Sequence, residues 1–184
     1  AQGKGVFTNV AMEVGAAGKP SQVIPYTGGI TYPVCGHTIG SCFGDLDNDG
    51  HLDIFVGNFA HAAAYQNRPQ FLRNLGPEGE YKFEDKSEGA GLGYQESYAS
   101  PALGDYDNDG DLDVVVNCLK GPALLYRNNA AAPRVAIRLS GPGKNTEGTG
   151  SRIRIIGTLG QAPQSQEIMS GGRYVSGDQA RRTF

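Results

Sequence analysis

The chain has no tryptophan, only three histidines and three cysteines, and no long run with helical periodicity. No apolar stretch approaches the ~18 residues that a membrane-crossing helix needs, and no secretory leader is visible. A soluble segment without membrane insertion is expected. No serine stands in a Gly-x-Ser-x-Gly setting, so nucleophilic catalysis has no visible apparatus. The spacing of Cys35, Cys42 and Cys118 matches no zinc or redox motif. A Cys35–Cys42 bridge would suit an oxidising compartment; Cys118, after a valine run, reads equally well as a small buried thiol. No Asn-x-Ser/Thr sequon is present. What the chain does have is 28 glycines and 10 prolines in 184 residues, which points to short strands joined by tight turns. An all-β fold is the expectation.

The most informative stretch is Gly44-Asp45-Leu46-Asp47-Asn48-Asp49-Gly50-His51-Leu52-Asp53. It recurs as Gly104-Asp105-Tyr106-Asp107-Asn108-Asp109-Gly110-Asp111-Leu112-Asp113. Each copy places carboxylates at positions 1, 3, 5 and 9 of a short loop, with glycine at position 6. So many like charges repel one another unless a cation sits among them. Asp-Asn-Asp-Gly is also good chemistry for a solvated acidic turn, which would explain one copy; two copies in register favour a ligand set. Oxygen donors suit a hard ion, and a flexible set of them suits Ca²⁺ better than Mg²⁺. Two Ca²⁺ sites are therefore expected. Asp45, Asp47, Asp49 and Asp53 would hold one ion, and Asp105, Asp107, Asp109 and Asp113 the other. The position-7 residues, His51 and Asp111, would offer backbone carbonyls. An EF-hand would need glutamate at position 12 and flanking helices. Here position 12 is Val56 or Val116, and the flanks are apolar and β-branched, so each loop is expected to join two strands.

The repeat is larger than the loop. Phe71-Leu72-Arg73-Asn74 corresponds to Leu125-Tyr126-Arg127-Asn128, and the segment Phe7 to Gly15 corresponds to Phe83 to Gly91. The chain thus holds about two units, preceded by the tail end of a third. A unit of this kind cannot bury its faces alone and is expected to stack on its neighbours. The stretch from Pro20 to Pro33 reads as an irregular surface loop, and Asn58 to Pro69 as a second one containing His61, to which no role is given. From Pro133 onward a strand pattern appears at Val135, Ile137 and Leu139. Arg134, Arg138, Arg152 and Arg154 alternate with apolar residues, either as a solvated strand face or as a surface for an acidic partner.

These loops and their flanks resemble FG-GAP/VCBS repeats, the calcium-binding blades of integrin-type β-propellers. Phe71–Asn74 and Phe83–Gly91 resemble the variant of the cartilage acidic protein and UnbV group. That group continues into a small β domain called ASPIC/UnbV, and two later stretches resemble it: Asn145-Thr146-Glu147-Gly148-Thr149-Gly150-Ser151-Arg152-Ile153 and Gly171-Gly172-Arg173-Tyr174. Phe184 falls where that domain's closing motif would begin, so the domain is expected to be shortened or finished differently. The resemblance implies propeller-type blades over residues 1–132, an incomplete propeller, and a small β domain over residues 133–184. It also implies an extracellular, cell-surface or periplasmic location.

Charge is divided unevenly. Residues 1–132 carry 8 Lys+Arg against 16 Asp+Glu, while residues 133–184 carry 8 against 3. The acidity of the first part is largely ligand charge and argues against nucleic acid as a partner. The expectation is a non-enzymatic calcium-binding protein of structural or adhesive type, whose repeat surface meets a protein or polysaccharide. The alternative is a self-assembling filament or matrix subunit, because open repeat edges stack head to tail.

Overall fold

A computed structural model describes residues 7–17, 23–25, 31–33, 37–59, 69–92, 98–119, 121–157, 163–169, 171–173, 176–177 and 180–184. Among these residues there is no α-helix; every sheet is antiparallel. Strands β1 (Val23–Pro25) and β2 (Thr31–Pro33) form a small ladder of their own. This corrects the irregular loop expected over Pro20–Pro33: Val23-Ile24 and Thr31-Tyr32 are β-favouring pairs on either side of Gly28-Gly29, which is hairpin chemistry.

The first blade is a four-stranded meander: β3 (His37–Gly44), β4 (Asp53–Phe59), β5 (Gln70–Asn74) and β6 (Phe83–Asp85). The second has three strands, β7 (Tyr98–Gly104), β8 (Asp113–Cys118) and β9 (Leu124–Tyr126). β4 runs on through Asn58 and Phe59, the first two residues of the expected excursion. His61 and Cys35 lie outside the described residues, and the bridge considered for Cys35 lies there with it.

The two blades repeat in detail. Gly44 pairs with Asp53 and Gly104 with Asp113, so each acidic loop closes a hairpin as expected. The first hairpin has a bulge between Thr38 and Gly40, and the second has one at the equivalent place, between Tyr98 and Ser100. Phe7–Gly15 repeats the end of the first blade. Ala11 N donates to Asn9 Oδ1 at 3.1 Å as Ser87 N donates to Asp85 Oδ1 at 3.0 Å, and Gly15 and Gly91 both turn with positive φ, 77° and 74°. Phe83 N donates to Val14 O at 2.7 Å, which ties that early segment to the first blade.

Alternation along the strands decides which residues fill the space between the blades. Cys42, Leu46 and Phe55 from the first blade meet Leu103, Val114, Val116 and Cys118 from the second, with Leu92, Phe71, Leu112, Leu124 and Tyr126 packed around them. After the second blade come β10 (Ala136–Ile137), β11 (Arg152–Ile155), β12 (Gln164–Glu167), β13 (Gly172–Arg173), β14 (Ser176–Gly177) and β15 (Arg182–Thr183). β10 pairs with β15, and β11 with β12. A separate small core of Ile153, Ile168 and Phe184 sits beneath them. The turn before β11 is held by Asn145, whose Oδ1 accepts from Thr149 N at 2.8 Å while its Nδ2 donates to Thr149 O at 3.0 Å.

Candidate metal centre

Each acidic loop is shaped by its own backbone before any ion is considered. Asn48 and Asn108 adopt left-handed φ of 57° and 64°, and Gly50 and Gly110 follow at 94° and 97°. Asparagine and glycine tolerate that region best. The turn folds position 1 back over the loop: Asp45 Oδ1 accepts from Asp49 N at 3.0 Å and Oδ2 from Gly50 N at 2.8 Å. Asp105 Oδ2 accepts from Gly110 N at 2.9 Å in the same way. As a result Asp45, Asp47 and Asp49 converge, and so do Asp105, Asp107 and Asp109. Within each trio one oxygen per residue lies within 4.8 Å of the others. Ca–O bonds of 2.3–2.6 Å place two oxygens of one ion at most about 5 Å apart, so both trios have the spacing of a shared calcium ion.

The donor set passes a second test. Asp47 Oδ1 is buried and accepts no hydrogen bond, which is costly for a carboxylate oxygen unless a cation meets it. Crowding and burial also show in the ionisation of the first loop. Desolvation, with added repulsion from Asp49 and Asp47, pushes Asp45 up to about 6 against the amide bonds that oppose it.

Position 9 also clamps the loop. Asp53 is fully buried, and its two oxygens accept from Leu46 N and Asn74 N, both at 2.8 Å. Asp113 repeats this with Tyr106 N at 2.9 Å and Asn128 N at 2.8 Å. Each therefore ties the start of its loop to the Arg-Asn pair that ends β5 or follows β9. Asp53 still lies close enough to feel the trio: burial, then Asp47 and Asp45, raise it to about 7. The converging trios consist of positions 1, 3 and 5, with position 9 directly behind them.

At position 7 the two loops differ. His51 N donates to Asp49 Oδ1 at 2.9 Å, while its ring packs edge-on against Tyr81, 6.5 Å between centroids. Asp111 is fully buried, with Oδ2 3.6 Å from Arg134 Nη1. Burial and the adjacent Asp109 push Asp111 up to about 6, while the Asp111 hydrogen bond, helped by Arg134 and Arg127, holds Asp109 low.

Sequence reading missed the arginines. Arg73 pairs with Asp47 through Nε and with Asp49 Oδ2 through Nη2, the latter at 3.0 Å. Arg127 does the same one repeat later, 2.8 Å from Asp107 and 3.9 Å from Asp109. The guanidinium thus backs positions 3 and 5 from outside, a role the recurrence of Arg-Asn after each loop could have signalled. The neighbouring asparagines staple the same strand. Asn74 Nδ2 donates to Leu52 O and Asn128 Nδ2 to Leu112 O, both at 3.1 Å, and Asn128 Nδ2 also reaches Leu46 O of the first loop at 2.6 Å.

The later region contributes as well. Arg134 does not stay on a strand face with Arg138 and Arg152, as its spacing suggests. It turns back onto the second loop, its Nη2 donating to Asp109 O at 3.1 Å and its Nη1 to Ala130 O at 2.6 Å. Backbone carbonyls there need donors more than the exposed strand needs charge. Arg138 and Arg152 remain mostly exposed, near Glu147 and Glu167. Arg181 pairs with Asp105 Oδ2 and donates to Asn108 Oδ1 at 3.1 Å.

A search of curated proteins finds no match to this chain. Residues 45–116, from Asp45 of the first loop into β8, match the FG-GAP-like repeat family.

Proposed function

We propose that this chain is a calcium-binding structural or adhesion protein that works outside the cytoplasm, with Ca²⁺ rigidifying the blade hairpins and the repeat surface binding a protein or a glycan. The observation that carries the reading is the convergence of Asp45, Asp47 and Asp49, and again of Asp105, Asp107 and Asp109, at calcium spacing in two equivalent hairpins. When bound, the ion neutralises carboxylates that otherwise repel one another. The chain's part is to hold them: Asp53 and Asp113 fix each loop to its blade, and Arg73 and Arg127 orient two ligands each. Carboxylates committed to a cation are poor proton carriers, so the role is binding rather than catalysis. The ASPIC/UnbV resemblance of residues 133–184 belongs to this proposal and is consistent with the turn at Asn145. Asp49→Ala or Asp109→Ala should lower the melting temperature in calcium and change little in excess EGTA. Equal losses in both media would count against the metal role.

A second reading, self-assembly, is favoured by one face of the second blade. Phe55 and Phe71 are cross-strand partners packed against the second blade, Phe55 buried and Phe71 partly so. Their equivalents Val115 and Leu125 are also partners, but they are 41% and 46% exposed, and Tyr106 on the same loop is 50% exposed. That face is built to receive another blade, and a second copy of the chain can supply one. Light scattering should then give a mass above the monomer that persists in added salt; a monomer at every concentration contradicts it.

A further inference from the structure

We infer that the two calcium loops are unequal, because Arg181 occupies the cation's side of the second one. The inference rests on the calcium reading and concerns how this chain's own residues compete with the ion. In the first loop, the position-1 carboxylate of Asp45 is held by amides of its own turn, and among the described residues no cation pairs with it. Across from it, Gly50 faces the neutral amide of Gln164: a Cβ there would lie 2.9 Å from Nε2. In the second loop the equivalent carboxylate, Asp105, gives Oδ2 to Arg181. Arg181 also binds Asp105 O at 3.2 Å and Asn108 Oδ1 at 3.1 Å, which spans the loop from position 1 to position 4.

This guanidinium is placed by the fold. Arg181 directly precedes β15, which pairs with β10, and Phe184 exchanges backbone hydrogen bonds with Val135 at 2.8 and 3.0 Å. Its side chain is 18% exposed. The seat is imperfect: Arg181 Nε is buried with no hydrogen-bond partner. An arginine held this way supplies positive charge to the loop and stays displaceable. Calcium entering the second loop meets the positive charge of Arg181 already seated at the Asp105 carboxylate, whereas among the described residues no cation stands at Asp45. Coupling is reciprocal, so calcium at the second site also loosens the seat of the final strand.

Calorimetric titration of the full chain with CaCl₂ tests this. The wild type should show two classes of site differing by about tenfold, an ordinary size for coupling within one protein. Asp45→Asn should remove the tighter class and Asp105→Asn the weaker. Arg181→Gln should tighten the weaker class by about tenfold and leave the tighter one unmoved. Two equal classes, or a weaker class that ignores Arg181→Gln in a protein with wild-type circular dichroism, would overturn the inference while leaving the calcium reading intact. If Arg181→Gln does not fold, the assignment of tight and weak classes by the two Asn variants still decides it. No calcium heat from the wild type would overturn the calcium reading and this inference with it.

Discussion

Asp53→Ala and Asp113→Ala should each destabilise the protein by about 2–4 kcal/mol, and the loss should persist in EGTA. Each substitution strips the acceptor from two backbone amides at once: Leu46 and Asn74 in the first blade, Tyr106 and Asn128 in the second. A buried donor left without a partner costs about 1–3 kcal/mol, and these sites are only partly shielded, so the pair falls in that range. Two effects oppose the loss. The variant removes a buried carboxylate, and at the first site it removes repulsion with Asp47 and Asp45. The amides should win, because two donors lose their acceptor at once. Since whole domains are stable by only about 5–15 kcal/mol, the effect is large. Urea unfolding in calcium and in EGTA measures it. A loss confined to calcium would mean that position 9 acts as a ligand alone and that the amide clamp contributes little.

The contrast between position 9 and position 5 shows what the sequence could and could not reveal. The spacing of aspartates, the glycine at position 6 and the β-branched flanks were enough to place two loops in two hairpins, and the structure has both. The same spacing could not show that the position-9 carboxylates accept from backbone amides, because one donor to each lies 21 or 15 residues further along the chain. Asn74, which donates to Asp53, is 21 positions along. The longer reach of Arg181 to Asp105, across 76 positions, had no local signal at all. Arg134 was legible only as one of several alternating arginines; its return to the Asp109 loop follows from tertiary packing. The β1–β2 ladder did carry a local cue in its β-branched pairs, but the surrounding glycines and prolines outweighed it.

Calcium should produce the other large effect, and its size should depend on pH. Asp45 and Asp53 are raised to about 6 and about 7 when no ion is bound, mainly by burial. A carboxyl raised on folding contributes stability that is fully present below its unfolded value and is lost as pH rises through the folded one. In EGTA the protein should therefore weaken between about pH 4 and pH 7. Calcium takes the place of those protons, so it should flatten the decline and stabilise most near neutral pH and above. An ion at about twenty times its dissociation constant adds about 2 kcal/mol at the first site, and at a tenfold weaker second site about 0.6 kcal/mol. For a chain of this length that corresponds to a rise of about 5–10 °C from the two sites together, with the second loop giving the smaller share.

The most direct measurement is the melting temperature at pH 7.5 in about 2 mM CaCl₂, near the extracellular range, against the same buffer with excess EGTA. A rise of about 5–10 °C in calcium is the result expected if the two aspartate trios hold ions. Identical melting in the two buffers would mean that the converging carboxylates are acidic turns satisfied by Arg73, Arg127 and their own amides, and that calcium has no part in this fold.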